Sequence, residues 1–196
     1  LKKILMILSL LFLVVSCGTP KVQKEFEIVL KALQSGDVEK IKKLNSNSEF
    51  MNSDEDSKIF LNGYKKMTYK IKSTKVKGDI ATINLDLKAP DLTVYFSEYV
   101  QEIMGLAFAN FGKSNQEIKG IQDKFTLDFF EKKLNSKDLK YNEENVDVVL
   151  KKNGKEWEVD TENEKNKPFF EIISFGFTKI LENFGENMIQ DEETVK

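Results

Sequence analysis

The sequence of 196 residues contains no histidine and no arginine, and its single cysteine is Cys17. Without His or a second Cys there is no Cys/His zinc site, no Ser-His-Asp or Cys-His relay and no intramolecular disulfide. A general base working near neutral pH would have to be a buried carboxylate with a strongly raised pKa. Three prolines and ten glycines leave few interruptions to regular structure. The 30 lysines and 32 acidic residues are interleaved, giving a net charge of −2 and no basic block. Nucleic-acid binding needs a concentrated positive face, so that class is set aside. Fifteen Phe, five Tyr and one Trp supply the bulk for a globular core.

Lys2 and Lys3 precede an apolar run from Ile4 to Val15 that only Ser9 interrupts. A membrane-spanning helix needs roughly 20 apolar residues, so this run is too short to span and suits a signal-peptide h-region. Val14-Val15-Ser16-Cys17 follows, an aliphatic residue, a tolerant position, a small residue and Cys. The segment resembles the lipobox of bacterial lipoproteins. That resemblance implies diacylglycerol on the Cys17 thiol, cleavage between Ser16 and Cys17, and further acylation of the new amine. On this reading residues 1–16 are a signal peptide and residues 17–21 a lipidated tether. Five extended residues reach at most roughly 17 Å, which holds the domain close to its membrane and outside the cytoplasm.

Residues 22–189 read as one α+β domain, with 190–196 as a charged tail. Val22, Phe26, Val29, Leu30 and Leu33 recur at helical spacing, and Gly36 suits the residue after a helix end. Asp37 can cap a second helix carrying Val38, Ile41 and Leu44. The acidic stretch around Asp54 and Asp56 lacks the Gly and the late Glu of an EF-hand, and it reads as a solvated turn. Ile59, Phe60 and Tyr64 belong to a short helix. Met67, Tyr69 and Ile71 alternate, as do Ala81, Ile83, Leu85 and Leu87, and Lys77-Gly78-Asp79 marks a hairpin between them.

Pro90 ends that strand, and Asp91 can cap a helix from Leu92 to Phe111. Phe96, Val100, Ile103, Met104, Ala107, Phe108 and Phe111 are expected to form its continuous apolar stripe. A further helix is expected from Asn115 to Leu134. Val146, Val148 and Leu150 alternate ahead of Asn153-Gly154, a hairpin signal, with Trp157 and Val159 on the returning strand. From Pro168 a closing helix is expected to run over Phe169–Ile189. Phe170, Ile173, Phe177, Leu181, Phe184 and Met188 would be its buried stripe, and Phe169, Ile172 and Phe175 a partial second one.

This order implies one antiparallel sheet with helices packed on one face. The Ser35-Gly36-Asp37 break, Asp91 with its helix and the Asn153–Val159 hairpin resemble the NTF2-like (cystatin-like) superfamily. What the resemblance implies is a curved antiparallel sheet wrapped around a helix as a cone with a pocket. Its catalytic members place acids, His or Tyr inside the cone. Here the candidates are Tyr69, Tyr95, Tyr99, Asp91 and Glu98. Asp91 is also a helix cap, Glu98 a solvated position, and Tyr95 and Tyr99 an aromatic pair suited to packing. Trp157 either stacks on a ligand or fills the sheet core. The surplus stripe with Phe175 would meet the middle helices, a second subunit or an apolar ligand.

The expectation is a lipid-anchored protein of the cell envelope whose domain is not an enzyme. It would bind an envelope protein or an apolar solute through Tyr69, Tyr95, Tyr99 or Phe175, with no metal and no cofactor beyond the diacylglycerol on Cys17. The alternative is an NTF2-like enzyme using a carboxylate–tyrosine pair on a small hydrophobic substrate.

Overall fold

The computed structural model describes residues 19–36 and 56–180. Cys17 and its leader, the helix expected from Asp37, Asp54 and the residues from Leu181 onward lie outside the described residues.

Helix α1 (Lys21–Ser35) buries Val22, Phe26 and Leu30, spaced by one turn each, while Ile28 and Val29 stay exposed. It stops at Gly36, whose φ of 64° lets its N–H reach the Leu33 carbonyl. Helix α2 (Asp56–Tyr64) leads into strands β1 (Thr68–Lys77) and β2 (Ile80–Pro90), joined by a turn at Gly78, φ 62°. A 3₁₀ turn (Thr93–Tyr95) opens helix α3 (Phe96–Ala109), and helix α4 (Asn115–Leu134) returns to strand β3 (Tyr141–Asn153). Strand β4 (Glu156–Val159), a second 3₁₀ turn (Glu164–Asn166) and helix α5 (Lys167–Ile173) complete the order.

The four strands form one antiparallel sheet in the order β1-β2-β3-β4. Alternation with period two puts Ala81, Ile83, Leu85, Leu87 and Ala89 on one face, beside Val146, Val148 and Leu150 of β3. An extra residue between Ile71 and Ser73 shifts the β1–β2 register. The bulge changes the parity of β1, so Thr74 and Val76 oppose Ile83 and Ala81 where Tyr69 and Ile71 oppose Leu87 and Leu85. The opposite face is polar. Asn84 donates to Asn145 and Asp147 at 2.8 and 2.7 Å. Lys72 meets Asp86 at 2.6 Å, and this hydrogen bond holds the Asp86 carboxyl below its usual range.

Helices cover the apolar face, giving the α+β architecture expected. One continuous cluster joins the sheet residues to Phe26 and Leu30 of α1, Ile59 of α2, Phe129, Phe130 and Leu134 of α4, and Phe169 and Ile172 of α5. At the edge of β3, buried Asn166 acts as a one-residue strand. Its Oδ1 accepts from Val149 N–H at 2.7 Å, and its Nδ2 donates to the Val149 and Asp160 carbonyls at 2.8 and 2.7 Å. Among the described residues no helix is long and apolar enough to cross a membrane.

Two expected helices differ from the structure. Helix α3 ends at Ala109 rather than Phe111, because the Asn110 side chain takes the Leu106 carbonyl at 2.7 Å and closes the turn. The closing helix breaks at residues 174–176, where Phe175 and Gly176 take φ of 56° and 83°, and helical structure resumes at 177–180. A Cβ on Gly176 would stand 2.2 Å from Thr93 Cγ2, so glycine is required there for space as well as conformation. The break also reverses the expected faces. Phe169, Ile172 and Phe175 are fully buried, while Phe170, Ile173 and Phe177 are half-buried against the same core.

Candidate functional site

The residues singled out on the inner side of the sheet are engaged in packing. Phe175, expected on an interaction surface, is 1% exposed and lies between Phe60 (ring centroids 5.5 Å apart) and Tyr64 (5.1 Å). That expectation is corrected: the left-handed turn at Phe175 points the side chain into the core. Tyr69 lies near Lys31 and Glu27 of α1, and burial lifts the pKa of its hydroxyl. Tyr95 OH donates to the Asp138 carbonyl at 3.3 Å and accepts from Lys140 N–H at 3.2 Å. Tyr99 OH meets Thr126 Oγ1 at 2.9 Å, and its ring packs against Phe125, Phe129 and Phe130. Tyr69 thus faces α1, whereas Tyr95 and Tyr99 fasten α3 to α4 and to the loop before β3.

The acids beside them are also committed. Asp91 accepts from Thr93 N–H and Oγ1 at 3.0 and 2.5 Å, which closes the turn into the 3₁₀ segment; it does not cap α3 itself, which begins at Phe96 after Tyr95. Glu98 pairs with Lys133 at 2.6 Å, and that ammonium lies 5.1 Å from the centres of both the Tyr95 and Phe129 rings. Among the described residues the buried polar side chain is Asn166, with no Asp or Glu beside it in that class. Glu25 comes nearest: its Oε2 is out of solvent without a donor, while Oε1 pairs with exposed Lys21 at 3.2 Å. Among the described residues no group of three or more metal-ligating side chains could hold an ion. Trp157 sits beside Lys152 on the strand pair β3–β4 and packs against the core.

The anomaly of the molecule is the α3–α4 hairpin. Its root is well held, by Tyr99, by the Glu98–Lys133 pair and by Asn62 Nδ2 donating to Glu131 at 3.1 Å. The fully buried residues of α4 are Phe129, Phe130 and Leu134, and α3 has none. Phe125 and Leu127 still pack against the core, so Asn115 to Lys124 extends beyond the root for ~15 Å at 1.5 Å per residue. Along α3 the seam toward α4 is apolar and half-buried, with Val100, Ile103, Leu106 and Ala107. On its outer side, polar Ser97, Glu98, Gln101 and Glu102 near the root give way to Met104, Phe108 and Phe111 at the end. These three are 53%, 74% and 91% exposed. Monomeric proteins seldom show contiguous aromatic surface of this kind without a use for it.

The periodicity of α3 correctly places Met104 and Phe108 on one side of a helix. It does not say that the core ends before reaching them. What did mark them in the sequence is the charge pattern: from Ile103 to Gln116 the one charged residue is Lys113.

No family model matches the chain, and no curated protein matches it. Among solved structures the chain is similar to the crystal structure of a candidate lipoprotein, ycdA, from Bacillus subtilis subsp. subtilis str. 168. Identity is 19% and the TM-score 0.41, over 74% of this chain and 46% of that one. The chain thus spans about half the length of that protein, and the likeness is too distant to carry an argument.

Proposed function

We propose that the chain is a lipid-anchored, extracytoplasmic protein whose domain is non-catalytic and serves as an interaction module. Cys17 carries the anchor, and the outer end of the α3–α4 hairpin carries the contact surface for an apolar or protein partner. The observation that supports it most is the pairing of a filled sheet face with an exposed hairpin end. The candidate tyrosines and acids each have a packing or ion-pair role, and apolar surface is concentrated instead at Met104, Phe108 and Phe111. The lipobox residues Val14 to Cys17 supply the anchoring half of the reading. The NTF2-like part of the reading rests on the Ser35-Gly36-Asp37 break, Asp91 and the Asn153–Val159 hairpin as sequence signals.

The test is metabolic labelling with a clickable fatty acid. The wild-type chain takes up label and shortens on processing, whereas Cys17→Ala does neither. Equal labelling of the two would refute lipid anchoring.

A further inference from the structure

We infer that the end of the α3–α4 hairpin is a second, non-covalent membrane contact, with Met104, Phe108 and Phe111 in the interfacial layer of an anionic bilayer and Lys113 among its headgroups. The inference rests on the reading that Cys17 holds the domain beside a membrane.

Four observations converge on lipid as the occupant. First, the apolar side chains lie around a helix end and its loop. A Cβ built at Gly105, Gly112 or Gly120 would meet nothing within 4 Å, so this end presents its surface on several sides at once. A bilayer surrounds such a projection, whereas a protein groove would cover one side of it. Second, charge at the end is sparse. From Ile103 to Gln116 Lys113 is the one charged residue, the sign attracted to anionic lipid at the membrane surface, and the neighbouring Glu117 carboxylate is turned onto the Ser114 cap.

Third, much of the backbone at the end is bonded internally, which lowers the cost of placing it beside lipid. Asn110 N–H donates to the Leu106 and Ala107 carbonyls, Phe111 N–H to Phe108, and Lys113 N–H to Asn110, all at 3.2–3.3 Å. The start of α4 is closed by a reciprocal cap. Ser114 Oγ accepts from Glu117 N–H at 3.4 Å, while Glu117 Oε2 accepts from Ser114 N–H at 3.0 Å. Fourth, only residues 18–20 separate Cys17 from α1, so the anchor restrains the start of α1 within ~15 Å of the lipid. Confinement of that kind turns a weak partition into steady contact through effective concentration.

The contact is interfacial, since no described helix can span. It also sets an orientation. Lys21 at the start of α1 reaches the Lys155 carbonyl in the β3–β4 turn. The hairpin leaves from the opposite end of the sheet, where Pro90 pairs with Tyr141. Two contacts at opposite ends lay the sheet along the membrane.

The experiment uses the chain from residue 17 onward with Cys17→Ser, so that no acyl group contributes, and vesicles of phosphatidylcholine with about 30% phosphatidylglycerol. The chain is expected to sediment with the vesicles. The variant Phe108→Ser/Phe111→Ser is expected to partition ~10-fold less or weaker still, with an unchanged melting curve because both side chains are exposed. A Phe111→Trp variant should gain a fluorescence signal quenched by brominated lipid, over the unquenched signal of Trp157. Equal sedimentation of the two chains, or of neither, would overturn the inference. So would a Phe111-dependent cross-link to a second copy or another protein without vesicle binding. If labelling of Cys17 persists in those cases, the anchor stands and the hairpin end is a protein contact.

Discussion

Replacing Gly63 by alanine measures how firmly the break at Phe175 is held. Gly63 is in the last turn of α2, where alanine would ordinarily stabilise a helix by up to ~1 kcal/mol. Its Cβ, however, would stand 2.4 Å from both Cε2 and Cζ of Phe175, well inside the ~3.5 Å of a carbon–carbon contact. The ring has little room to retreat, with Phe60 stacked on it and Tyr64 tilted against it. Its main chain is fixed as well, since Leu92 N–H donates to the Phe175 carbonyl at 3.1 Å and Phe175 N–H to Ile172 at 3.0 Å. Overpacking of this kind costs ~1–3 kcal/mol. At roughly 2–4 °C per kcal/mol for a chain of this size, Gly63→Ala should lower the Tm by several degrees. Phe175→Ala should cost more, ~3–5 kcal/mol, the usual range for emptying a buried Phe site.

The decisive quantity is the coupling. With the ring removed, Gly63→Ala meets open space, recovers its helix propensity and becomes neutral or stabilising. Urea titration of the four proteins in a double-mutant cycle reads that change of sign. If Gly63→Ala cost the same in both backgrounds, the close approach described here would be wrong. Phe175→Gly gives a second check. A non-glycine residue in the left-handed region costs ~1–2 kcal/mol, so glycine should be at least as stable as alanine at this position, against the usual order.

Asn166→Ala leaves the Val149 N–H without its acceptor and removes the Asn166 donor from the Val149 and Asp160 carbonyls, the former keeping the Asp160 N–H; loss of those bonds should cost ~2–4 kcal/mol by denaturant titration, and an unchanged midpoint would show that water replaces the clamp. Tyr64 has its pKa raised by burial from 10.0 to about 12. Its neutral form therefore favours the folded chain, and the stabilisation is complete below pH 10 and lost as pH rises toward about 12. Ultraviolet titration should show a late ionisation, together with unfolding, that Tyr64→Phe removes; ionisation of Tyr64 near its ordinary value of 10.0 would refute it.

Much of the sheet was legible because its signals are local. Gly78 and Gly154 mark turns that require positive φ, and the alternation along β2 fixes which face is buried. The bounds of α4 were legible too, from its apolar spacing, although the Ser114–Glu117 cap that starts it went unread. The closing helix shows where local signals fail. Counting from Phe169 or from Phe170 gives equally regular stripes, and only the packing of Phe175 between Phe60 and Tyr64 chooses the first. The bulge after Ile71 carries no turn residue to mark it and shows only in the register of β1 against β2. Of the candidate site, the one-turn spacing of Tyr95 and Tyr99 suggests an aromatic pair, but the structure gives them separate partners: Tyr95 the loop before β3, and Tyr99 Phe96 and the phenylalanines of α4. Periodicity puts the exposed Phe108 and Phe111 on the core stripe, since it reports which residues share a face and not how far the rest of the chain extends to cover it.

The placing of the hairpin between two neighbouring strands has a consequence for the order in which the chain assembles. Residues 91–140 separate β2 from β3, yet Pro90 and Tyr141 are ladder partners and Asp91 N–H donates to the Lys140 carbonyl at 2.9 Å. A loop of about 50 residues closed at random loses more entropy than one of about 10, by roughly 1.4 kcal/mol on a logarithmic scale. Helix formation and the meeting of two adjacent helices are local, fast events. If α3 and α4 zip first through Tyr99, Thr126 and Lys133, they deliver the ends of β2 and β3 to one another already close. The root of the hairpin then sets the pace of the central strand pair, and its outer end is left out of that step altogether. Substitutions there are free to follow the demands of whatever the end touches, with folding speed governed from the other end of the same two helices.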